Sequence, residues 1–466
     1  MSKSTPSDKI PFWQAIAFSI PGLPIAWLIP PMYAILGDFY LRYTAATAAG
    51  VGTAMILSRV IDAITDPPVG YLSDHTKSPI GSRKPWIIAG TIVCMVTFYM
   101  LFNPPEGAGN LYFTGGIILY YIAYTLLLIP YRAWLGETTT DYAERSRLWS
   151  YMTIGLLVGG VVIMLLPLTL SSPLVGLYET AEFTPEMMSV IGWVGIIALP
   201  IAIAIALFNV PSGKRNIGKP PTIRTFAETV TQCPPFRVFL MGYGFSGLGF
   251  GAMYSIIIVA LSSYFGIADQ IPLFLLFMIA AQVMSIPIWE RVSARFTKHR
   301  TWAFAWAVHA AIAPIILLID PDNNPFWPLV IFGAMTSILQ APHMLFPVAI
   351  VNDIVDYDTL KTGSSRSGNF MSVYTFFDKV MTAIGFGVGY YIIAIFGYDP
   401  KVLDHTFWNV FGLMLALAAV PAVCFAASSF FLFKFPIGRE EHDRIRQELD
   451  EREAAMTGPR GEVHAE

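Results

Sequence analysis

Two carboxylates and an arginine share one face of an otherwise apolar segment. The segment reads ILSRVIDAITDPPVGYL, and Asp62 and Asp66 are four residues apart, which places them on the same side of a helix. Arg59 precedes Asp62 by three residues and lies on that side too. Paired carboxylates suit a hard cation such as Na⁺, which takes oxygen ligands, or a proton, because burial and mutual repulsion favour protonation of one acid. An internal Arg59–Asp62 pair is the alternative, but it leaves Asp66 unexplained.

Three further polar side chains fall within apolar segments. Lys379, in GNFMSVYTFFDKVMTAIGFGVGYY, lies about 17 Å from one end of its segment, near the membrane midplane. It could pair with the two acids, bind an anionic group of a substrate, or form a fixed packing pair. Thr125 lies as deep as the acids and could add a hydroxyl oxygen, whereas Arg132 lies near the end of its segment, where a long side chain can snorkel. Asp378 is not assigned a role, because neighbouring residues on a helix point in different directions.

A third candidate group lies in the segment SILQAPHMLFP. Gln340 and His343 are deep within it, and Pro342 and Pro347 flank the histidine and predict a kink at a cavity. A lone histidine is more often a core residue than a ligand. Tyr374, in the segment of Lys379, completes the residues predicted to act in coupling or substrate binding.

Two short polar loops combine acidic and basic residues in a pattern suited to a gate. The first, GYLSDHTKSPIGSRKPW, carries Asp74, Arg83 and Lys84; the second, NDIVDYDTLKTGSSRSGN, carries Asp353, Asp356 and Arg366. Acid and base in one loop could latch two bundles together and release them. Ordinary accumulation of basic residues on the inner side of a membrane protein is the alternative, and it does not explain the acids.

The elements that must position these residues are membrane-spanning helices. The chain is 55% hydrophobic and 13% charged, far below the charge of soluble domains, with a mean hydropathy of +0.57. Runs of about 20 apolar residues predict an all-α integral membrane protein of twelve transmembrane helices. These predicted spans are 11–36, 46–72, 85–102, 111–135, 148–170, 188–210, 237–264, 271–289, 301–319, 326–352, 368–396 and 406–435. The first span contains Pro21, Pro24, Pro30 and Pro31 in its interior and is expected to be irregular.

A polar, proline-rich stretch divides the spans into two groups of six. The sequence therefore predicts an N-terminal six-helix bundle at 1–210, a middle loop at 211–236, a C-terminal bundle at 237–435 and a charged tail at 436–466. Within the tail, residues 439–455 have a helical pattern without a wide apolar face, which predicts a solvated helix. All but five of the 29 Lys and Arg residues fall on one side of the membrane, which predicts that both termini are cytoplasmic.

Composition also excludes several classes of function. A net charge of −3 does not favour a nucleic-acid partner, and the three cysteines show no metal or disulfide spacing. The sequence contains no nucleotide-binding loop, metal cluster or nucleophile–base motif, so an enzyme is not expected. No cofactor is predicted beyond Na⁺ or H⁺ as a coupling ion. The expected partners are a small-molecule substrate and the lipid bilayer, around a monomer in the inner or plasma membrane.

Three segments resemble one transporter family. DAITDPPVGYLSDHTKSPIGSRKPW (62–86), TLLLIPYRAWLGETTTDYAERSRL (125–148) and NDIVDYDTLKTGSSRSGNFMSVYTFFDKV (352–380) are similar to the glycoside–pentoside–hexuronide:cation symporters of the major facilitator superfamily. The resemblance implies that fold, with Asp62, Asp66 and Thr125 as the Na⁺, Li⁺ or H⁺ site. Thr65 replaces an asparagine of the melibiose carrier, so the choice of cation stays open. Lys379 matches a lysine near the cation site.

The sugar site departs from the family pattern. The predicted first span contains no acid, Leu128 stands where the melibiose carrier has an acid, and Arg132 stands where it has a tryptophan. The arginine of the fifth span falls at Met152 or Thr153. The resemblance thus covers the cation half of the site and not the sugar half, a pattern that the animal lysophospholipid symporters of the same wider group share.

The expected function is cation-coupled symport of a small solute by alternating access. A glycoside or sugar acid is favoured by the resemblance alone, and a lysolipid-like or other amphipathic substrate is the alternative. A membrane sensor that binds a ligand without transporting it, and signals through the tail, is an alternative of another class.

Overall fold

The computed structural model describes residues 10–28, 30–139, 141–212, 223–364, 366–402 and 404–457. These residues form helices and no strands. Eleven of the helices among them are long and apolar enough to cross a membrane, and a short apolar helix, Phe12–Ala26, precedes them. The part of the chain that the structure describes is therefore an all-helical membrane protein, as predicted.

The long helices follow the predicted spans closely, and they keep those numbers here. Spans 2–12 are Ala48–His75, Lys84–Phe102, Asn110–Thr138, Ala143–Leu170, Pro185–Asn209, Pro234–Tyr264, Ala268–Phe296, Lys298–Leu318, Phe326–Thr362, Ser367–Ile395 and Phe407–Phe433. Polar caps begin several of them. The side chains of Thr47, Asp141 and Thr184 each accept a hydrogen bond from a backbone N–H of the first turn, which satisfies a donor that the helix itself cannot pair.

Span 1 is irregular, as its prolines predict. It consists of three helices, Phe12–Ser19, Gly22–Ala26 and Pro30–Tyr43, because proline lacks a backbone donor and its ring clashes with the preceding turn. A Cβ at Gly159 of span 5 would lie 2.1 Å from the Leu23 carbonyl oxygen, so only glycine allows this close approach. The third helix runs to Tyr43, past the predicted end at residue 36. It therefore carries an acid, Asp38, in a span that was predicted to have none.

Helices in each half of the chain pack mainly on one another, and these two groups are called the N-terminal and C-terminal bundles here. In the N-terminal bundle, span 4 packs between spans 2 and 3, span 3 also packs on span 6, and the start of span 1 packs on span 5. In the C-terminal bundle, span 7 packs on spans 11 and 12, span 12 also packs on span 9, and span 8 packs on span 10. Residues 213–222 of the predicted middle loop lie outside the described residues. The rest of that loop includes a helix, Ile223–Gln232, which packs on spans 7 and 11.

The bundles meet mainly at one end of the seam between them. Span 2 begins, and span 11 ends, at the end of the bundles opposite Phe12 and Phe433; this end is called the far side here, and the other end the termini side. There a Cβ at Gly387 would lie 2.1 Å from Ile56, and one at Gly52 would lie 3.0 Å from Tyr390. A single hydrophobic core continues across the seam at this end, while a second core lies within the C-terminal bundle. The bundles are therefore closed together on the far side.

The tail helix Arg439–Thr457 corrects a prediction. It was expected to be solvated, yet it packs on the second half of span 10, with Ile445 buried and Leu449 partly buried. Arg446 also pairs with Asp356 at 3.1 Å. Two apolar residues four positions apart are enough to dock a helix when the partner supplies matching charges, and the helical pattern alone does not reveal the partner.

Candidate functional site

The acid pair of span 2 faces span 4 as the spacing predicts. Asp62 is fully buried, and the Asp66 side chain retains 19% exposure. The Thr125 hydroxyl lies 2.7 Å from Asp62 Oδ1 and 3.1 Å from Asp66 Oδ1. A hydroxyl donates only one hydrogen, so it cannot fully satisfy both carboxylates at once. Three oxygen atoms therefore converge, and the single hydroxyl hydrogen cannot satisfy both carboxylate oxygens.

Lys379 of span 11 reaches across the seam to this pair. Its Nζ lies 2.7 Å from Asp62 Oδ2 and 2.5 Å from Asp66 Oδ2. Arg59 is farther from Asp62, at 3.8 Å, and its guanidinium lies 4.6 Å from the centroid of the Tyr121 ring. The carboxylates are therefore not neutralised by a simple pair within span 2. They share an ammonium that the other bundle supplies.

The geometry fits a monovalent cation or a proton at the acid pair. The two Oδ2 atoms already hold one unit of positive charge, in the form of the lysine ammonium, while the two Oδ1 atoms and Thr125 are oxygen ligands of the kind that Na⁺ takes. A second positive charge would neutralise the remaining carboxylate. Buried charges are costly unless they are paired, so occupancy and the position of Lys379 must depend on each other.

A cavity of about 300 Å³ lies between the bundles beside the acid pair. Its lining brings together the predicted residues of spans 2, 4, 10 and 11, namely Arg59, Asp62, Asp66, Thr125, Arg132, His343 and Lys379. Arg132 does not lie apart from the site, as snorkelling would imply. Thr125, Leu128, Ile129 and Arg132 all line the cavity, because residues three, four and seven apart share one helix face.

Asp378 lines the same cavity, which corrects its dismissal in the sequence analysis. Helix neighbours do point in different directions, but Asp378 and Lys379 both belong to one stripe of span 11 that also includes Thr375 and Thr382, at spacings of three, four and seven residues. The Tyr243 hydroxyl donates to Asp378 Oδ1 at 2.7 Å and lies 3.3 Å from the Tyr374 hydroxyl. Tyr374, a predicted site residue, does not line the cavity; it contacts the Tyr243 hydroxyl that donates to Asp378. Tyr243 carried no sequence signal, because it is a single tyrosine in an apolar span.

On the side of the C-terminal bundle, the cavity is lined by His343, which aromatic rings surround. The His343 ring lies within 5.6 Å, centroid to centroid, of four aromatic rings, those of Tyr243, Phe250, Trp302 and Trp306. Gln340 does not line this cavity; it accepts a hydrogen bond from the Tyr254 hydroxyl at 3.1 Å and faces a smaller neighbouring cavity of about 80 Å³. Sequence reasoning missed Phe250 and Tyr254, which no polar pattern marks.

Thr65 is the predicted cation-site residue that the structure does not place with the others. Its hydroxyl donates to the backbone carbonyl of Asp62 at 3.1 Å, and it does not line the cavity. In the structure, its position one residue before Asp66 turns it away from the shared face of the two acids.

The predicted gate residues form ion pairs inside their own bundles. In the first loop, Arg83 pairs with Asp74 and, at 2.7 Å, with Glu137, while Lys84 donates to the Leu207 and Val210 carbonyls. In the second bundle, Asp353 lies 2.9 Å from Lys298. Their role as a latch between the bundles stays a prediction.

Arg366 completes the second loop. It forms a bidentate pair with Asp358 of span 10, at 2.8 and 2.5 Å. Hydrogen bonding to that carboxylate raises the pKa of Arg366, so its guanidinium keeps its charge. Such a pair holds the short loop before span 11 in a fixed position within its own bundle.

The far side has a charged residue that the predicted spans missed. Asp38 is buried and accepts a hydrogen bond from the Ser262 hydroxyl of span 7 at 2.7 Å. It also lies 3.6 Å from Arg42, which contacts Glu182 of its own bundle. In addition, Lys401 donates to the Thr44 carbonyl at 2.6 Å. Arg42 and Lys401 therefore both lie at the closed end of the seam.

Comparison with known proteins gives the same architecture. The family model described as "MFS/sugar transport protein" matches residues 15–439. The nucleoside transporter NupG superposes with a TM-score of 0.63 at 13% identity, over 91% of this chain and all of that one, which establishes a shared fold.

Several sequence relatives have names that state a substrate, and two of them show how different those substrates are. The sodium-dependent lysophosphatidylcholine symporter 1-A of Danio rerio is 22% identical over 94% of this chain and 88% of its own length. The lactose permease of Lactobacillus delbrueckii subsp. bulgaricus is also 22% identical, over 90% of this chain and 70% of its own length. These relatives are membrane transporters and not enzymes, and the family match spans nearly the whole chain. The chain belongs to the MFS/sugar transport protein family of the major facilitator superfamily.

Proposed function

We propose that this protein is a cation-coupled symporter that carries a small solute by alternating access, with Na⁺ or H⁺ bound at Asp62, Asp66 and Thr125. One observation carries the proposal. Two buried carboxylates of one bundle share a single ammonium, Lys379, supplied by the other bundle. The bridge couples the charge state of the acid pair directly to the relative position of the bundles.

The coupling follows from competition for the carboxylate oxygens. A cation that binds between Asp62 and Asp66 weakens their hold on Lys379, because the same oxygens then neutralise two positive charges. The bridge between the bundles loosens, and the free energy of rocking changes with cation occupancy. A solute that binds the same state is coupled to the cation by the same amount of free energy, in both directions.

The orientation of the cavity completes the proposal. Exposure rises from Asp62, which is fully buried, through Asp66 to Arg132, which is exposed and nearer the termini side. The far side is closed by the contact of spans 2 and 11. We propose that both termini lie in the cytoplasm and that the protein, a monomer in the inner or plasma membrane, is inward-facing in this conformation.

Thermal stability of the purified full chain tests the cation site. Na⁺, Li⁺ and K⁺ are compared across pH for the wild type and for Asp62→Asn. A ligand that binds only the folded state raises stability with its occupancy, by about 2.7 kcal/mol at a hundred times its Kd. We expect Na⁺ or Li⁺, or acid pH, to stabilise the wild type and not the variant. Asp322→Asn, an exposed acid between spans 9 and 10, is the matched control and should respond as the wild type does.

Gradient-driven uptake tests the symport itself. Asp66→Asn is expected to abolish cation-driven accumulation while the protein remains in the membrane. Full accumulation by that variant would remove the cation site from the mechanism. A cation response that Asp62→Asn leaves unchanged would do the same.

Two other candidates have specific support. The smaller cavity beside Gln340 is lined mostly by apolar side chains, and one relative is named for lysophosphatidylcholine, so an amphipathic substrate is the second candidate. A non-transporting sensor is the third, because the tail helix packs on the transport core. Deleting 439–466 separates a carrier from a sensor: a carrier keeps its uptake, whereas a sensor keeps ligand binding and loses its signal.

A further inference from the structure

Asp378 is a cavity carboxylate that the proposed cation site does not use. Its Oδ1 accepts a hydrogen bond from the Tyr243 hydroxyl at 2.7 Å. In the part of the chain that the structure describes, its Oδ2 accepts no hydrogen bond, and no basic side chain lies within ion-pair distance of either oxygen. Arg59 of the other bundle and Lys379 stabilise the carboxylate electrostatically from farther away. Among the described residues, Asp378 therefore lines the cavity as a negative charge without a counterion in contact.

Arg59 is the more weakly held of the two bases beside Asp62. Its Nη1 lies 3.8 Å from Asp62 Oδ2, whereas the Lys379 Nζ lies 2.7 Å from the same oxygen. The Arg59 guanidinium also lies 4.6 Å from the centroid of the Tyr121 ring in its own bundle. The longer contact to Asp62 is the one that a further cation breaks at the smaller cost. Arg59 lines the same cavity as Asp378, so a second carboxylate faces it across the seam.

The aspartate, arginine and lysine side chains in the middle of the cavity sum to one negative charge. Asp62, Asp66 and Asp378 are three acids, and Arg59 and Lys379 are two bases with side-chain exposures of 14% and 17%. The arginine of span 4 is exposed to solvent and is not counted. One monovalent cation neutralises this set as a whole. It also places three positive charges against the two carboxylates of the acid pair, and a surplus charge in a partly buried position is costly. The third carboxylate offers that surplus a partner.

We infer that Asp378 is a positioning residue of the cation site: when the cation binds, the Arg59 guanidinium leaves Asp62 and pairs with Asp378 across the seam. This inference rests on the proposed function and adds a residue to its mechanism. A guanidinium is a planar fork of five donors on a long side chain, so it can exchange one carboxylate for another without movement of the backbone. The Tyr243 hydrogen bond fixes Oδ1 and leaves Oδ2 of Asp378 to accept from the arginine.

The exchange links cation binding to contact between the bundles. Arg59 belongs to span 2 and Asp378 to span 11, so their pair joins the bundles at the moment when the cation loosens the Lys379 bridge. Without Asp378, the guanidinium stays at Asp62 and competes with the cation for the same oxygen. Loss of Asp378 therefore weakens cation binding although this residue is not a cation ligand. By reciprocity, the cation strengthens the new pair by the same factor.

Thermal stability of the purified full chain tests the inference. The protein is titrated with Na⁺, with Li⁺ and with acid at constant ionic strength, and the midpoint is read for the ion that stabilises the wild type. Asp378→Asn removes the charge and nearly keeps the volume of the side chain. We expect it to raise the ion concentration at the midpoint by roughly three- to a hundredfold, the range of coupling between neighbouring groups. Asp322→Asn, at an exposed position, is the matched control and should keep the wild-type midpoint.

A double-mutant cycle separates an effect through Arg59 from a direct effect of the Asp378 charge on the cation. Arg59→Gln removes the competitor at Asp62, so its midpoint should be lower than that of the wild type. In that background, Asp378→Asn should change the midpoint by less than about twofold, as for independent sites. Tyr243→Phe keeps both charges and removes only the hydrogen bond that fixes Asp378. It should raise the midpoint by a smaller factor, and only when Arg59 is present.

The outcomes distinguish failure of this inference from failure of the proposed function. An unchanged midpoint in Asp378→Asn would show that this residue takes no part. An equal rise with and without Arg59 would show that its charge acts directly on the cation, which also overturns the inference. If Asp378→Asn does not fold, Tyr243→Phe with and without Arg59→Gln decides by the same comparison. In each case, stabilisation of the wild type that Asp62→Asn abolishes leaves the proposed function standing, and its absence rejects that function.

Discussion

The two ends of the seam between the bundles are built from different chemistry. On the far side, the bundles touch through small residues and single hydrogen bonds: Gly52 and Gly387 allow close packing, and the Thr53 and Tyr391 hydroxyls lie 2.7 Å apart. On the termini side, the strongest polar contacts are ion pairs inside one bundle, such as Arg366 with Asp358.

This difference indicates how each bundle can move as a unit. Ion pairs within a bundle keep its loops in place whether or not the other bundle is near. On the far side the bundles share an apolar core and are linked by single hydrogen bonds, each contributing about 0.5–1.5 kcal/mol net, so separating them breaks no ion pair between the bundles there. The closed end is therefore reversible, and Lys379 lies between the two ends.

Removal of Lys379 should have the largest effect. Lys379→Met leaves two carboxylates facing each other without the ammonium, and breaking a buried pair costs about 3–5 kcal/mol, less here because Lys379 retains 17% exposure. We expect a lower melting temperature without Na⁺ and a larger recovery on adding it than in the wild type. Lys361→Met, at an exposed position, is the control. An unchanged melting temperature with an unchanged Na⁺ response would show that the bridge does not restrain the acid pair.

A bulky residue at the closed end should have the second-largest effect. A Cβ at Gly37 would lie 1.9 Å from the buried Tyr390 hydroxyl oxygen, so Gly37→Trp cannot be accommodated when the far side is closed. Overpacking costs about 1–3 kcal/mol, or roughly ten- to a hundredfold in population. We expect uptake to fall by that factor.

Labelling reveals the conformation that this variant adopts. A cysteine at Ser262, in a background without the native cysteines, should react faster with a membrane-impermeant maleimide in Gly37→Trp. Gly115→Trp, at a glycine with open space around it, is the control. If both tryptophan variants label equally slowly, the closed end is not the point that gates access.

Loss of one hydrogen bond across the closed end should have a smaller effect. Ser262→Ala removes the donor to Asp38, while Ser263→Ala removes a bond to Tyr398 within the same bundle. We expect only the first to shift the equilibrium toward the open far side, by up to about tenfold. The same maleimide assay, with the cysteine placed at Thr53, measures it. An equal shift in both variants would mean that general weakening of span 7, and not contact between the bundles, controls opening.

The smallest effect is expected on the termini side. Arg446 retains 55% side-chain exposure in its pair with Asp356, and exposed pairs contribute about 0–1 kcal/mol. Arg446→Ala should leave uptake unchanged and make the tail helix slightly easier for a protease to remove. Arg444→Ala, which breaks pairs inside the tail helix, is the comparison. A large loss of uptake in Arg446→Ala alone would assign the docked tail a role in transport.

Local rules were enough to predict most of the fold. A run of apolar residues long enough to cross a bilayer identifies a span wherever it occurs, and eleven such helices appear near the predicted positions. The same rules failed where a helix continued past its apolar core. Span 1 runs on to Tyr43 and includes Asp38, because a charged residue can remain in a helix when a partner buries it.

The candidate site, too, was predicted in one part and missed in another. Asp62, Asp66 and Thr125 come together as predicted, since the two acids share a helix face by spacing alone. Asp378 was excluded because it neighbours Lys379, yet both line the cavity in one stripe with Thr375 and Thr382, and only the structure shows how wide a stripe the cavity contacts. Arg132 was recognised, but its place in the lining of the cavity became visible only in three dimensions.

What the sequence by itself determined is therefore what a helix decides locally: the spans, the broken first span and the shared face of the two acids. Only the tertiary structure decided which charges meet. Lys379 and Asp66 are 313 residues apart, and Ser262 and Asp38 are 224 apart. Contacts at such separations depend on how two bundles pack and tilt against each other, and no periodicity along the chain encodes that arrangement.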